Sequence, residues 1–199
     1  MKNEWEEATH WESEWWGTCA NTFGEEFKQL AYAEKMGMVP FHNTKSPFNF
    51  DLKGKSVLDI GGGPCSLLLK CTNFSEAVVA DPCDYPEWTE TRYICSGIAV
   101  IKAKGEELPL DAKYDEVWIY NVLQHTDDPA LILKNARTVS KLIKIFEWID
   151  CGTSEGHPHE LTEAKLNEWL GGEGKTDFIN KNTAYGKCYF GIFKGNLYE

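Results

Sequence analysis

The pattern of apolar and polar positions divides the chain near residue 47. Upstream, residues 24–36 (GEEFKQLAYAEKM) place Phe27, Leu30, Ala31 and Glu34 at helical spacing, with Gly37 as a stop and a loop through Pro40 and Pro47 beyond it. From Leu52 onward, short apolar runs rich in β-formers alternate with helical patterns. Strands are expected at 55–60, 77–80, 98–103, 116–120 and 142–149, and helices at 65–71, about 129–139 and 163–170. Two late strands, 175–179 and 188–193, flank the turn-like 180–186, a link too short for a crossover helix, so they should form an antiparallel hairpin. Strand–helix alternation of this kind predicts an α/β fold. The expected form is a doubly wound, mostly parallel seven-stranded sheet with an antiparallel strand in its C-terminal hairpin and a helical extension at the N-terminus. Residues 1–47 are expected to be that extension and 48–199 the domain proper.

Composition narrows the partners. A length of 199 residues fits one core, and 42% hydrophobic with 13% aromatic residues fits a folded chain. The net charge of -11 opposes a phosphate backbone, and the cations within 134–144 sit among apolar residues as a strand flank would. A nucleic-acid partner is therefore not expected. Seven scattered cysteines, with no C-x-x-C pair, point to free thiols in a reducing, cytoplasmic setting. The acidic opening is unlike a secretory leader, and no run of about 18 apolar residues suits a bilayer. The oligomeric state is not legible.

Candidate chemistry begins at 56–69, SVLDIGGGPCSLLL. An apolar run ends at Asp59, three glycines follow, and Pro64 suits the first turn of a helix. Open α/β sheets bind ligands beyond the carboxyl ends of their strands, and glycines there let the backbone approach closely. A dinucleotide fingerprint, G-x-G-x-x-G, counted from Gly61 would need its last glycine at Ser66, and fails there. Twenty-two residues past Asp59, the run AVVAD ends at Asp81, where a carboxylate can accept both hydroxyls of a ribose or cap a helix before Pro82.

An acidic residue, a spacer and then glycines (Asp59, Ile60, Gly61, Gly62, Gly63) resemble the first motif of the class I, Rossmann-like S-adenosylmethionine-dependent methyltransferases, with Cys65 where the family's third spaced glycine falls. AKGEELPL at 103–110 resembles that family's x-x-E-x-L-P stretch, and YDEVWIYNVLQHTDDP at 114–129 its strand-four signature. The resemblance covers 53–193. It implies S-adenosyl-L-methionine as cofactor, Asp59, Gly61, Gly62, Gly63, Asp81, Pro82, Gly105, Glu106, Asn121 and Val122 as its contacts, and methyl transfer to an oxygen or nitrogen of a small-molecule acceptor. The acidic side chain beside the turn suits the cofactor's ammonium and sulfonium charge.

Three histidines could take the acceptor's proton: His125 after the fourth strand, and His157 and His159 in GHPHELTE after the fifth. Each has a plainer reading as a loop hydrogen-bonding or solvated residue. A metal at His-x-His is not expected, because no further His or Cys lies at ligand spacing. Trp5, Trp11, Trp15 and Trp16 belong either to a lid over the acceptor or to ordinary packing. An aminopropyl transferase, an NAD-dependent enzyme and a non-catalytic cofactor-binding protein remain the alternatives.

Overall fold

The computed structural model describes residues 6–7, 10–11, 15–16, 19–43, 46–181 and 184–197. Among them the strand runs form β1 (Pro40–Asn43), β2 (Ser46–Ile60), β3 (Cys71–Ala80), β4 (Ala99–Ile101), β5 (Tyr114–Tyr120), β6 (Ser140–Trp148), β7 (Lys175–Lys181) and β8 (Ala184–Lys194). The helices are α1 (Cys19–Lys35), α2 (Glu87–Cys95), α3 (Pro129–Val139) and α4 (Glu163–Leu170). The strands join in one sheet of order β4-β3-β2-β5-β6-β8-β7, with β1 paired to β2. β4, β3, β2, β5 and β6 are parallel, and β8 is antiparallel to both β6 and β7. Six of the seven strands on the main path therefore run one way and β8 runs against them, as the short link before it requires.

The two-residue period of a strand sorts the core onto two faces. Val57, Val79, Trp118 and Phe146 meet Ala31 and Tyr32 of α1 and Met36 just beyond it on one side. Leu58, Ile60, Val78, Ile119, Ile143 and Ile145 meet Ile132, Leu133 and Ala136 of α3 and Leu166 and Leu170 of α4 on the other. Each Val, Leu, Ile, Phe or Met among them, once buried, contributes roughly 1.5–3 kcal/mol. Helix α3 starts where its signals stand: Pro129 opens it and the Asp128 carboxylate accepts the Leu131 amide at 3.0 Å. Helix α4 is capped by Thr162 and closed by Gly171 in the left-handed region.

Two expectations are corrected, and one helix was not expected. Residues 65–71 are not an α-helix but two 3-10 turns, Gly63–Cys65 and Leu67–Lys70. Side-chain oxygens take the amides there: Ser66 N donates to the Tyr93 hydroxyl and Leu67 N to the Tyr120 hydroxyl, each at 2.9 Å, while Leu68 N donates to Ser66 Oγ at 3.0 Å. Cys71, the last residue expected in that helix, instead opens β3. The expected loop through Pro40 and Pro47 is a hairpin, with Pro40 paired to Phe50 and Asn43 to Ser46. Proline is tolerated at the first residue of a strand, and Phe50 and Leu52 alternate into the core. Helix α2 has no counterpart in the sequence reading, because only Thr89 and Tyr93 of its nine residues are buried and the apolar period is faint.

Candidate cofactor and active site

Three strands end side by side, and each passes its next amide to a neighbour. Gly61 N donates to Ala80 O at 2.8 Å, Asp81 N to Ile101 O at 3.0 Å, and Asn121 N to Phe146 O at 2.9 Å. β2 lies between β3 and β5, whose crossovers leave it in opposite directions, so the chain opens a crevice at this edge. The cleft found there is open to solvent and spans about 730 Å³, open space included.

Eight of the ten expected cofactor contacts line it: Gly61, Gly63, Asp81, Pro82, Gly105, Glu106, Asn121 and Val122. Asp81 forms a wall. Its Oδ2 accepts the Gly63 amide at 3.0 Å and its Oδ1 the Cys83 amide at 2.9 Å. Burial pushes its carboxyl above the usual range, while these two amides pull the other way. Side-chain hydrogen bonds from Tyr85 and Cys83 add to those of the two amides, so a ribose would exchange with the Tyr85 hydroxyl or the Cys83 thiol there. Gly61 and Gly63 have positive φ, +70 and +59. Glu106 also holds the next loop, since its Oε1 accepts the Asp127 and Asp128 amides at 3.0 and 2.9 Å.

Asp59 and Gly62 stand off the lining. Asp59 is fully buried beneath the glycine turn, and its Oδ2 accepts hydrogens from Ser66 Oγ and the Tyr120 hydroxyl. Burial raises its carboxyl to about 7 against those two bonds. Its Oδ1 has no hydrogen-bond partner among the described residues. A Cβ on Gly62 would lie 2.8 Å from Asp59 Oδ2, so that glycine makes room for the carboxylate below rather than a ligand above.

The three histidines separate. His125 lines the cleft. Its ring lies 4.6 Å, centroid to centroid, from that of His157, whose ring also meets the edge of Trp11. Burial lowers both imidazoles to about 4. His157 and His159 are absent from the lining: His157 Nδ1 lies 3.3 Å from Ser154 Oγ, and His159 Nε2 lies 3.2 Å from the Asp127 carbonyl. Trp11 stacks on Trp15 and packs where a Cβ of Gly156 would stand, and Trp16 lines the cleft beside Gly63. Trp5 lies outside the described residues.

Lining residues the sequence reading passed over are Cys83, Tyr85, Lys104, Thr126 and Ile132. Lys104 pairs with Asp127 at 2.9 Å. Their positions follow from where loops fold back, and no spacing in the chain announces them. Among the described residues no group of three or more His, Cys, Asp or Glu could hold a metal. No helix among them is long and apolar enough to cross a membrane.

Does an adenosyl sulfonium fit these residues? Asp81 puts a carboxylate on the wall for a ribose, Ile60, Ala80, Val122 and Ile132 offer apolar surface for a base, and Asp59 Oδ1 lies beneath the turn with no hydrogen-bond partner among the described residues. The residues fit.

Comparison with known proteins agrees. Residues 58–142 match the family model described as a methyltransferase domain. No curated protein matches the chain in sequence. Among solved structures, the N-methyltransferase NodS of Bradyrhizobium japonicum, in complex with S-adenosyl-L-homocysteine, superposes with a TM-score of 0.64 at 12% identity, over 95% of this chain and 98% of that one. Magnesium protoporphyrin IX methyltransferase of Synechocystis, with S-adenosylmethionine bound, gives 0.56 at 14% identity over 87% and 80%. The 1,6-didemethyltoxoflavin-N1-methyltransferase of Burkholderia thailandensis gives 0.54 at 16% identity over 72% of each chain. Residues 58–142 are thus similar to a methyltransferase domain, and the chain has the fold of the class I, Rossmann-like S-adenosylmethionine-dependent methyltransferases.

Proposed function

We propose that this protein transfers a methyl group to an oxygen or nitrogen atom of a small-molecule acceptor. The observation that carries the reading is Asp81, a buried carboxylate on the cleft wall, facing the positive-φ glycines of the β2 turn. In this reading Asp81 accepts the ribose hydroxyls, Gly105 and Ile132 flank the base, and Asn121 and Val122 border the amino-acid end. S-adenosylmethionine, when bound, supplies a methyl carbon already activated by its sulfonium. The protein then has to align the acceptor and exclude water.

His125 is the residue proposed to meet the acceptor. The Gln124 amide nitrogen, 3.3 Å from His125 Nε2, holds the place that an acceptor's N–H or O–H would take. An imidazole lowered to about 4 is a weak base, so orienting that hydrogen suits it better than carrying the proton away. Residues 1–47 are proposed as the lid, with Trp16 against the cleft and Trp11 over Gly156 as its contacts. The similar structures act on small molecules by their printed names, and a net charge of -11 disfavours nucleic acid.

Isothermal titration tests the reading. Tight binding of S-adenosylhomocysteine without binding of NAD supports it, and the reverse result sinks it. Transfer of labelled methyl from S-adenosylmethionine to a panel of amines and phenols, against RNA and protein controls, then tests the acceptor class.

A further inference from the structure

Glu147, next to the end of β6, is fully buried. Its Oε1 accepts the backbone amides of Val122 and Leu123, each at 3.1 Å, and its Oε2 accepts that of Val122 at 3.2 Å. The position is informative. In the β5–β6 ladder Tyr120 pairs with Phe146, and Asn121 still donates to the Phe146 carbonyl. One residue later the carboxylate takes the amides instead of the neighbouring backbone. The chain turns at Asn121, whose φ of 59 is the left-handed region that asparagine tolerates better than most residues.

That turn throws Val122 across the cleft floor. A Cβ built on Gly61 would lie 2.5 Å from Val122 Cγ1, so the β2 and β5 turns pack tightly at this pair. Without Glu147 two amides would be buried with no acceptor, at a cost of about 1–3 kcal/mol each. The turn would relax to find one. Burial pushes the Glu147 carboxyl up to about 8, opposed by those same amides.

We propose that Glu147 is a positioning residue of the cofactor cleft: by holding the Val122 and Leu123 amides it sets the gap between the Gly61 turn and the Asn121 turn. The inference rests on the methyl-transfer reading for what occupies that gap, the amino-acid end of the cofactor. Glu147 is not among the lining residues and acts through the Val122 and Leu123 backbone.

The test is titration of S-adenosylhomocysteine into the wild type, Glu147→Gln and Glu147→Leu. Glutamine keeps one carbonyl oxygen that can accept both amides, so its affinity should stay within about threefold of wild type, whereas leucine should lose about tenfold or more. A leucine variant as tight as wild type overturns the proposal. So does a glutamine variant as weak as leucine with its fold intact, because charge and not hydrogen bonding would then be the need. If Glu147→Leu does not fold, the wild-type amides of Val122 and Leu123 decide by NMR: slow exchange and shifts that follow a carboxyl titration support the proposal, and fast exchange overturns it. Wild type that binds no S-adenosylhomocysteine removes the methyl-transfer reading alone, and the amide measurement still judges the hydrogen bonds.

Discussion

His125 Nδ1 lies 2.5 Å from the carbonyl oxygen of Gly156, and that contact sets the tautomer. A carbonyl only accepts, so Nδ1 carries the hydrogen and Nε2, beside the Gln124 amide, is the acceptor. The β5 and β6 exit loops are thereby joined through one imidazole. Its basic nitrogen is fixed before any acceptor arrives.

For His125→Ala we expect turnover to fall by about tenfold or more, with S-adenosylhomocysteine affinity nearly unchanged. The measurement is steady-state rate with a working acceptor beside a binding titration. An unaltered rate removes His125 from the mechanism. In the wild type the acid limb of the rate profile should lie near 4 and not near 6.5, because burial holds the ring neutral.

Asp81→Ala should weaken S-adenosylmethionine binding by at least about tenfold, since both ribose bonds and the brace on the Gly63 amide go together. Asp81→Asn separates the two. Its carbonyl oxygen can still accept the Gly63 amide while its NH2 faces the Cys83 amide, so stability should fall less than in the alanine variant while affinity falls. Equal affinity in both variants and wild type would discard the ribose role.

Gly61→Ala and Gly54→Ala differ in one respect. Both glycines have positive φ, +70 and +77, but a Cβ at Gly61 collides with Val122 whereas one at Gly54 meets nothing within 4 Å. Gly54→Ala should therefore carry only the backbone strain, about 1 kcal/mol, and leave cofactor binding alone. Gly61→Ala should add a packing penalty of about 1–3 kcal/mol and lose cofactor binding. Urea unfolding and titration of both variants check this, and equal losses would mean that Val122 yields.

Acid stability should carry the mark of the two lowered imidazoles. In the unfolded chain His125 and His157 take protons near 6.5, and in the folded chain near 4. Their contribution is complete above 6.5 and is lost as pH falls towards 4. Asp59 and Glu147, raised to about 7 and about 8, work in the opposite sense: their contribution is present at low pH and is lost as pH rises through those values. The opposing trends partly cancel below 6.5, so the informative quantity is a difference. His157→Gln should lose less stability than wild type between pH 7 and 4.5 in urea unfolding, and an identical loss would refute the assignment.

Local chemistry announced much of this molecule. Short apolar runs ending at Ile60, Ala80 and Tyr120 gave away the strands that carry the site, because a parallel strand buried on both faces is apolar nearly throughout. Pro129 with Asp127 or Asp128 before it, and Thr162, marked the starts of two helices because capping is a matter of adjacent residues. The glycine turn and Asp81 were legible for the same reason: their conformation and spacing lie within single strand–turn units.

Tertiary structure decided what depends on distant partners. Residues 65–71 have helical spacing, but hydroxyls of Tyr93 and Tyr120, remote in sequence, take their amides and leave only 3-10 turns. Asp59 carries the motif's acidic position, yet it is the packing of Ser66 and Tyr120 around it that sends the carboxylate under the turn and not into the cleft. Three histidines looked alike along the chain, and only folding put His125 on the lining and left its two companions outside. Glu147 carried no signal at all. A buried carboxylate is recognised by the amides it accepts, and those belong to another strand's end.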